Sequence, residues 1–341
     1  MLSFENDYSN SACPQILQRM QETQQEQVPG YGNDDYCQHA ATAIAKACDD
    51  PEVEVSFISG GTQTNQIVLD SITPQYAGVV CAQSGHINTH EAGAIEATGH
   101  KVLAIKSQDG KIAAQDVDDF CSSFYADSNH THMVFPGSVY ISQPTEYGTL
   151  YTLEELEALA QVAHNYHMPL YIDGARMGYG LVADGNDVTL PDIARIADVF
   201  TIGGTKVGAM FGEAVVFTKH NMPTNFVTLV KQHGALLAKG WLLGLQFDTL
   251  FTDGLYEKLS RNADKQADKI RKALLAKGYD IAFISSTNQI FITVTNEQAA
   301  KLQQQVRLSF MEQVDAGHQL LRICTSWATT DDQVNELIAI L

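Results

Sequence analysis

Two apolar runs, each ending on a reactive side chain, constrain the fold of this chain more than any other feature. They are PLYIDGARMGYG at residues 169–180 and DVFTIGGTKVGAMFGEAVVF at 198–217. The first run ends on Asp173, and the second on Lys206 in a Gly-Gly-Thr-Lys turn. Ligands of a parallel α/β sheet bind beyond the carboxyl ends of its strands. The two strands are therefore expected to deliver a carboxylate and an amine to one crevice. Pyridoxal phosphate calls for that pair. A lysine forms the Schiff base, and an acid keeps the pyridine nitrogen protonated so that the ring withdraws electrons.

A chain of 341 residues is long for a single core and predicts two domains. Its 45% hydrophobic and 18% charged residues are those of a soluble globular enzyme. Forty acidic residues against 21 basic ones give a formal net charge of −19, a field that repels nucleic acid and anionic membranes. A phosphate bound by such a chain has to rely on local amide geometry rather than on bulk charge. The six cysteines are scattered without a CxxC pair and read as reduced, mostly buried thiols, which points to the cytoplasm. The opening MLSFENDYSN lacks the basic and apolar regions of a signal peptide, and no apolar run reaches membrane-spanning length.

Strand-like runs at 55–58, 79–82, 102–105, 138–142, 169–173, 199–203 and 214–217 alternate with helical patterns. That alternation predicts an α/β fold with a mainly parallel sheet covered by helices on both faces. Thr152 and Glu155 make a capping-box pattern ahead of LEALAQVA and predict a helix over 152–167. Beyond 217 the pattern changes. Residues 226–277 read as largely helical up to Gly278, followed by strands near 289–294 and 319–324, a helix between them and another at 331–341. The expectation is a large cofactor-binding domain over 1–245, N-terminal segment included, and a small α+β domain over 246–341. No flexible linker separates them, so a long helix joins the two.

A lysine at a strand end is ordinarily solvated. Gly203, Gly204 and Gly208 around Lys206 remove side chains, as the close approach of a flat cofactor requires. An amine in that setting is partly desolvated, which lowers its pKa and suits it to imine formation. SGGTQTNQIVL at 59–69 places two glycines after a strand and starts a helix at Thr62. Free amides at a helix N-terminus bind phosphate without a basic side chain. The segment is neither a GxGxxG nor a GK[ST] loop, which argues against a dinucleotide or ATP.

In SGHINTHEAGAIEATGHK at 84–101, His86 and His90 stand at i,i+4 spacing ahead of Glu91. Three readings are open at this point: one core and one solvated histidine, a metal site serving a hydrolase, or an imidazole stacked on a cofactor ring. Arg176 follows Asp173 by three residues, and Arg322 interrupts the apolar strand QLLRICTSW. An arginine there needs a partner, and a substrate carboxylate gripped bidentately would serve.

Seven segments, in order along nearly the whole chain, carry a resemblance: ENDY (5–8), GYGNDD (30–35), SGGTQTN (59–65), GHINTHEAGA (85–94), YIDGAR (171–176), FTIGGTK (200–206) and LLRICTSWAT (320–329). Together they resemble the low-specificity L-threonine aldolases, in the β-eliminating-lyase branch of the fold-type-I pyridoxal-phosphate enzymes. The resemblance implies retro-aldol cleavage of L-threonine or L-allo-threonine to glycine and acetaldehyde, by a homodimer or homotetramer. It implies that Lys206 forms the internal aldimine, Asp173 bonds the pyridine nitrogen, His86 stacks on the ring, and Gly61 and Thr62 bind the phosphate. Arg176 and Arg322 match positions that contact the ring hydroxyl or the substrate carboxylate. Tyr31 falls in a segment that lies near the active site at a subunit boundary.

Three departures bear on that picture. Asn6 stands where the family often has a serine contacting the substrate carboxylate. Glu146, in ISQPTEYGT, takes the place of a second active-site histidine, which leaves the base to be His86, Glu146 or a water between. Lys239 is the weak counterpart of an arginine that some members send to a neighbour's phosphate. Another pyridoxal-phosphate lyase or aminotransferase on the same scaffold, a metal hydrolase using His86, His90 and Glu91, and a cofactor-binding but inert homologue are the rival readings.

Overall fold

The computed structural model describes residues 1–341. At its centre lies a seven-stranded sheet in the order Glu54–Ile58, Glu213–Phe217, Val199–Gly203, Leu170–Asp173, Phe135–Ser142, Ala77–Ala82, Val102–Ile105. Only Glu213–Phe217 runs antiparallel to its neighbours. The other pairings are parallel. Leu170–Asp173, Val199–Gly203 and Glu213–Phe217 are buried at every residue, as strands covered on both faces must be. Alternation sorts their side chains. Leu170, Ile172, Phe200, Ile202 and Val216 pack on one side of the sheet. Tyr171, Val199, Val215 and Phe217 pack on the other.

The helices follow their local signals. The Thr152 hydroxyl accepts from the Glu155 amide at 3.2 Å while the Glu155 carboxylate accepts from the Thr152 amide at 2.8 Å, closing the capping box. The 22-residue helix Leu255–Ala276 ends ahead of Gly278, whose φ of +80° the left-handed turn after a helix requires. None of the helices is long and apolar enough to cross a membrane. All six cysteines are buried and unpaired.

The last third adds an antiparallel sheet ordered Ser309–Gln313, His318–Cys324, Gln289–Thr295, Asp280–Ile281. Its two central strands were legible; Ser309–Gln313 and Asp280–Ile281 were not. Both are edge strands, short or mostly exposed, so they carry little hydrophobic pattern. The start of the chain is bound to this region. Leu2–Ser3 pairs with Val306–Arg307, and Phe4 is buried with Ile290 and Leu321.

One residue of the helix Leu255–Ala276 works against stability. Asp264 is 8% exposed, and neither carboxyl oxygen has a partner. Burial pushes its pKa from 3.8 up to about 8. The unfolded chain releases this proton near its ordinary value. Burial of Asp264 therefore weighs increasingly against folding as pH climbs from about 4 to about 8, and the penalty levels off above that. Asp264→Asn should melt above the wild type by about 2 °C or more at pH 8, with a smaller gap at pH 5. An equal gap at both pH values in a thermal melt would contradict this account.

Candidate active site

Gly61, His86, Glu146, Asp173, Arg176 and Lys206 line one crevice at the carboxyl ends of the parallel strands. Ser142 and Asp173 are register partners at the ends of adjacent strands. The next strand ends at Gly203, and Lys206 follows in the turn. On the opposite wall, the helix Gly61–Ile72 begins after Gly60 with no side-chain cap. A Cβ on Gly60 or Gly61 would meet nothing within 4 Å. The first amides of this helix are thus left without a side-chain cap, as an anion site needs. Thr62, in the same turn, is exposed.

Asp173 is held by three donors. Tyr140 Oη and Asn65 Nδ2 donate to its Oδ2 at 2.7 and 2.9 Å, and the Ala175 amide donates to its Oδ1 at 2.9 Å. Asn65 also donates to Glu91 Oε1 at 2.7 Å and accepts from Tyr171 Oη at 2.7 Å. The same Glu91 oxygen lies 2.7 Å from His86 Nδ1. An ionised Glu91 requires Nδ1 to carry the hydrogen, which leaves Nε2 as the free imidazole nitrogen. His90 is exposed, its ring 5.7 Å from that of His86. No group of three His, Cys, Asp or Glu side chains is placed to hold a metal ion. The HxxxH spacing therefore yields an imidazole anchored on a carboxylate rather than a ligand set. Glu146 accepts from the His86 amide at 2.8 Å and from Ser142 Oγ at 2.7 Å, and burial raises its pKa.

The lysine turn is clamped from three sides. Tyr179 Oη donates to the Lys206 carbonyl, Tyr256 Oη donates to the Gly203 carbonyl at 2.9 Å, and Thr205 Oγ1 donates to Glu213 Oε1 at 2.9 Å. Burial lowers the Lys206 pKa, and the nearby Arg176 charge lowers it further. Two of the neighbouring glycines, Gly203 and Gly204, have a reason of their own in the packing of the turn. A Cβ at Gly203 would stand 2.3 Å from the Ala175 carbonyl oxygen, and one at Gly204 would stand 2.8 Å from that of Gly212. Backbone packed against backbone is enough by itself to exclude side chains at both positions.

Arg176 is committed within the chain. Its Nε and Nη2 donate to the two oxygens of Asp7 at 2.7 and 2.9 Å. Asp7 is fully buried and also accepts from Asn288 Nδ2 at 2.9 Å. Burial alone would raise the Asp7 pKa, but Arg176 overrides it and brings the value down to about 2. Asn6 accepts from the Tyr8 amide and Ser9 Oγ through its Oδ1, so its Nδ2 donors are unused. Arg322 donates from Nη2 to the Glu5 carbonyl at 3.0 Å and from Nη1 to Gln289 at 3.2 Å, while its buried Nε has no partner. The segment Glu5–Asp7 thus links Arg322 to Arg176. Tyr31 and Lys239 are exposed and lie outside the crevice, on a turn where the Tyr31 amide bonds the Ala238 carbonyl at 3.2 Å.

Sequence reasoning missed Asp7, Asn65 and Tyr140, and saw Glu91 only as a metal ligand. Asp7 and Asn65 sit inside recognisable motifs, but their partners lie 169 and 108 residues away. Two substitutions test these links. Asp7→Asn leaves Arg176 buried without its counter-charge and should destabilise the protein by roughly 3–5 kcal/mol at neutral pH. The Asp7 pKa is depressed from 3.8, so the pair's contribution is complete above about 4 and is lost as pH falls through about 2. The deficit in denaturant melts should accordingly shrink in acid. Asn65→Ala removes donors to two carboxylates at about 1.5–3 kcal/mol each. The site should then hold its cofactor about 10–100-fold more weakly in equilibrium dialysis, and an unchanged affinity would refute the role given to Asn65.

Comparison with known proteins places this geometry. The sequence matches the beta-eliminating lyase family over residues 4–309. It is 27% identical over 340 residues to the low specificity L-threonine aldolase of Pseudomonas sp. (strain NCIMB 10558), covering 98% of this chain and 96% of that one. The structure of Leishmania major threonine aldolase superposes with a TM-score of 0.96 at 41% identity, covering 100% of this chain and 98% of that one. Aspartate aminotransferase from Thermus thermophilus shares the fold at 14% identity, with a TM-score of 0.71 over 100% of this chain and 90% of that one. The α/β architecture, with its small antiparallel C-terminal sheet, is that of the fold-type-I pyridoxal-phosphate enzymes. The chain belongs to the beta-eliminating lyase family, in its threonine aldolase branch, and uses pyridoxal phosphate.

Proposed function

We propose that this protein cleaves β-hydroxy-α-amino acids, L-threonine and L-allo-threonine among them, to glycine and an aldehyde. The observation that carries the reading is the convergence of Lys206, Asp173 and the Glu91-anchored His86 on one crevice. The residues fit pyridoxal phosphate: uncapped helix amides at Gly61 and Thr62 for the phosphate, Asp173 for the pyridine nitrogen, His86 for the ring face, Lys206 for the aldehyde. When bound, the cofactor supplies an electron sink for the pair released as a bond to the α-carbon breaks.

The protein's own groups divide the remaining work. Lys206, its pKa lowered by burial and by Arg176, holds a neutral amine more readily than a solvated lysine. Asp173 is kept in place by three donors and presents negative charge where a ring nitrogen has to stay protonated. Arg176 lines the crevice and is neutralised by Asp7, while Arg322 and Asn6 stand beyond its lining and are joined to it through the Glu5–Asp7 segment. The substrate carboxylate is assigned to this cluster. The β-hydroxyl proton passes to His86 Nε2 or to Glu146, directly or through water. The raised pKa of Glu146 makes it a stronger base than an ordinary carboxylate.

The active assembly is a homodimer or homotetramer in this reading. An apolar groove beside the 49%-exposed Tyr31, lined by Phe226, Val227 and Leu236, supports a neighbouring subunit docking there. Six buried thiols without a disulfide support a cytoplasmic setting.

The test is an absorption spectrum of the purified protein with pyridoxal phosphate, combined with an aldehyde assay on L-threonine. The wild type should show the cofactor's visible band and release acetaldehyde, and Lys206→Ala should lose both. A band without aldehyde would move the assignment to another lyase or an aminotransferase. Retention of band and turnover by Lys206→Ala would overturn it.

A further inference from the structure

Two arginines flank the Glu5–Asp7 segment, and the fold treats their charges in opposite ways. Arg176 is paired bidentately with the buried Asp7 carboxylate. Arg322 forms no ion pair. Its Nη1 donates to Gln289 Oε1 at 3.2 Å, and its Nη2 donates to the Glu5 carbonyl at 3.0 Å and to Ser309 Oγ at 3.3 Å. The Ser309 hydroxyl gives its own hydrogen to that same carbonyl at 2.6 Å. An amide oxygen, a peptide carbonyl and a hydroxyl are all neutral, so the guanidinium is oriented without being neutralised. The chain carries 40 acidic residues against 21 basic ones. A cation left without a counter-charge amid that excess calls for a reason.

Gln289 decides that difference. It lies two positions before Phe291, the register partner of Arg322 in the antiparallel pair, so its side chain shares a face with the arginine. It is fully buried, and its Nε2 has no partner. Arginine offers only donors, so the glutamine has to turn its oxygen to Nη1 and leave its amide nitrogen unpaired. The Arg322 Nε is also buried without a partner. A glutamate of the same length would remove the unpaired Nε2 and give Arg322 a carboxylate, as Asp7 does for Arg176. On hydrogen bonding and charge balance alone, the acid is the better residue here. The amide keeps the arginine charge uncompensated.

We propose that Gln289 is a positioning residue that holds Arg322 while leaving its charge for the carboxylate of the amino-acid substrate. The proposal rests on the assignment of that carboxylate to the cluster of Arg176, Arg322 and Asn6. Arg176, already neutralised by Asp7, brings hydrogen-bond donors to the crevice. Arg322 brings the net positive charge that separates an amino acid from a simple amine. Its Nη1 makes one of the two bonds it can donate, so one N–H of that nitrogen is left over. The connection to the crevice is short. Glu5 holds Arg322 through its carbonyl, and Asp7, two residues on, holds the crevice-lining Arg176. The substrate carboxylate thus completes an ion pair that no residue of the chain supplies. An acid at position 289 would compete for the same cation from within the fold.

The experiment compares full-length, cofactor-loaded wild type, Gln289→Glu, Gln289→Met and Arg322→Gln. Glycine, and ethylamine as an amine without a carboxylate, are titrated against the cofactor's absorption, and each protein is melted in the absence of both. If Gln289 only holds the arginine in place, Gln289→Glu should bind glycine like the wild type and Gln289→Met should be the weaker of the two. The proposal predicts the reverse order. Gln289→Glu should bind glycine at least about tenfold more weakly, Gln289→Met by a smaller factor, and neither should change its response to ethylamine. Gln289→Glu should also melt no lower than the wild type, because it exchanges an unpaired donor for a counter-charge. Wild-type glycine affinity in Gln289→Glu, an equal or larger loss in Gln289→Met, or a lower melting temperature or failure to fold in Gln289→Glu would each overturn the proposal. Wild-type glycine affinity in Arg322→Gln would instead overturn the assignment of the carboxylate to this cluster.

Discussion

The side-chain amide of Asn65 ties together the two acids on which the site is built. Its two N–H groups go to Asp173 and Glu91, and its oxygen is filled by Tyr171. An aspartate here would add a third negative charge and lose both donations, and a leucine would leave two buried carboxylates short of partners. The amide fixes the Asp173 carboxylate directly and, through Glu91, the His86 imidazole. Asn65 belongs to the helix whose first turn is left without a side-chain cap. One helix thus carries both the uncapped amides of its first turn and the side chain that holds Asp173 and Glu91.

The electrostatics of the crevice follow from an excess of acid. Asp7, Glu91, Glu146, Asp173 and Glu213 gather around Lys206 and Arg176, in a chain of net charge −19. The acids coexist because each is treated differently. Asp7 is ionised against a bidentate arginine, Asp173 is surrounded by neutral donors, and Glu146 and Glu213 are pushed toward holding a proton by burial. Burying the Arg176–Asp7 pair is not an efficient source of stability, because two ions are withdrawn from water. It does join parts of the molecule far apart in sequence. Asp7 reaches Arg176 because the preceding residues are pinned by the pairing of Leu2–Ser3 with Val306–Arg307, and Asn288 holds it from the C-terminal region. The surroundings of Arg176 are thereby assembled from the first residues, the central sheet and the last third of the chain.

Much of this was legible from local pattern. Every strand of the central sheet was foreseen, because buried parallel strands read as apolar runs and helices between them carry their own caps. The edge strands Asp280–Ile281 and Ser309–Gln313 were not, since exposure erases their pattern. Gly203 and Gly204 were visible as glycines, but the carbonyl oxygens of Ala175 and Gly212 that exclude a side chain there are brought near only by the folded turn. His90 is the histidine adjacent to Glu91 in the sequence, yet it is His86, five residues away, that the fold sets against the Glu91 carboxylate.

The sequence by itself determined the inventory: a lysine and an aspartate at strand ends, a glycine-rich helix start, an imidazole nearby, and an alternation of strands and helices that admits one broad architecture. These are properties of a few consecutive residues, set by turn geometry, periodicity and side-chain chemistry. Tertiary structure alone decided which charges meet. Arg176 and Asp7 lie 169 residues apart, and Asn65 and Asp173 lie 108 apart. A hydrogen bond forms only within about 3 Å. The packing of the entire sheet and both its faces has to be complete before such partners are chosen.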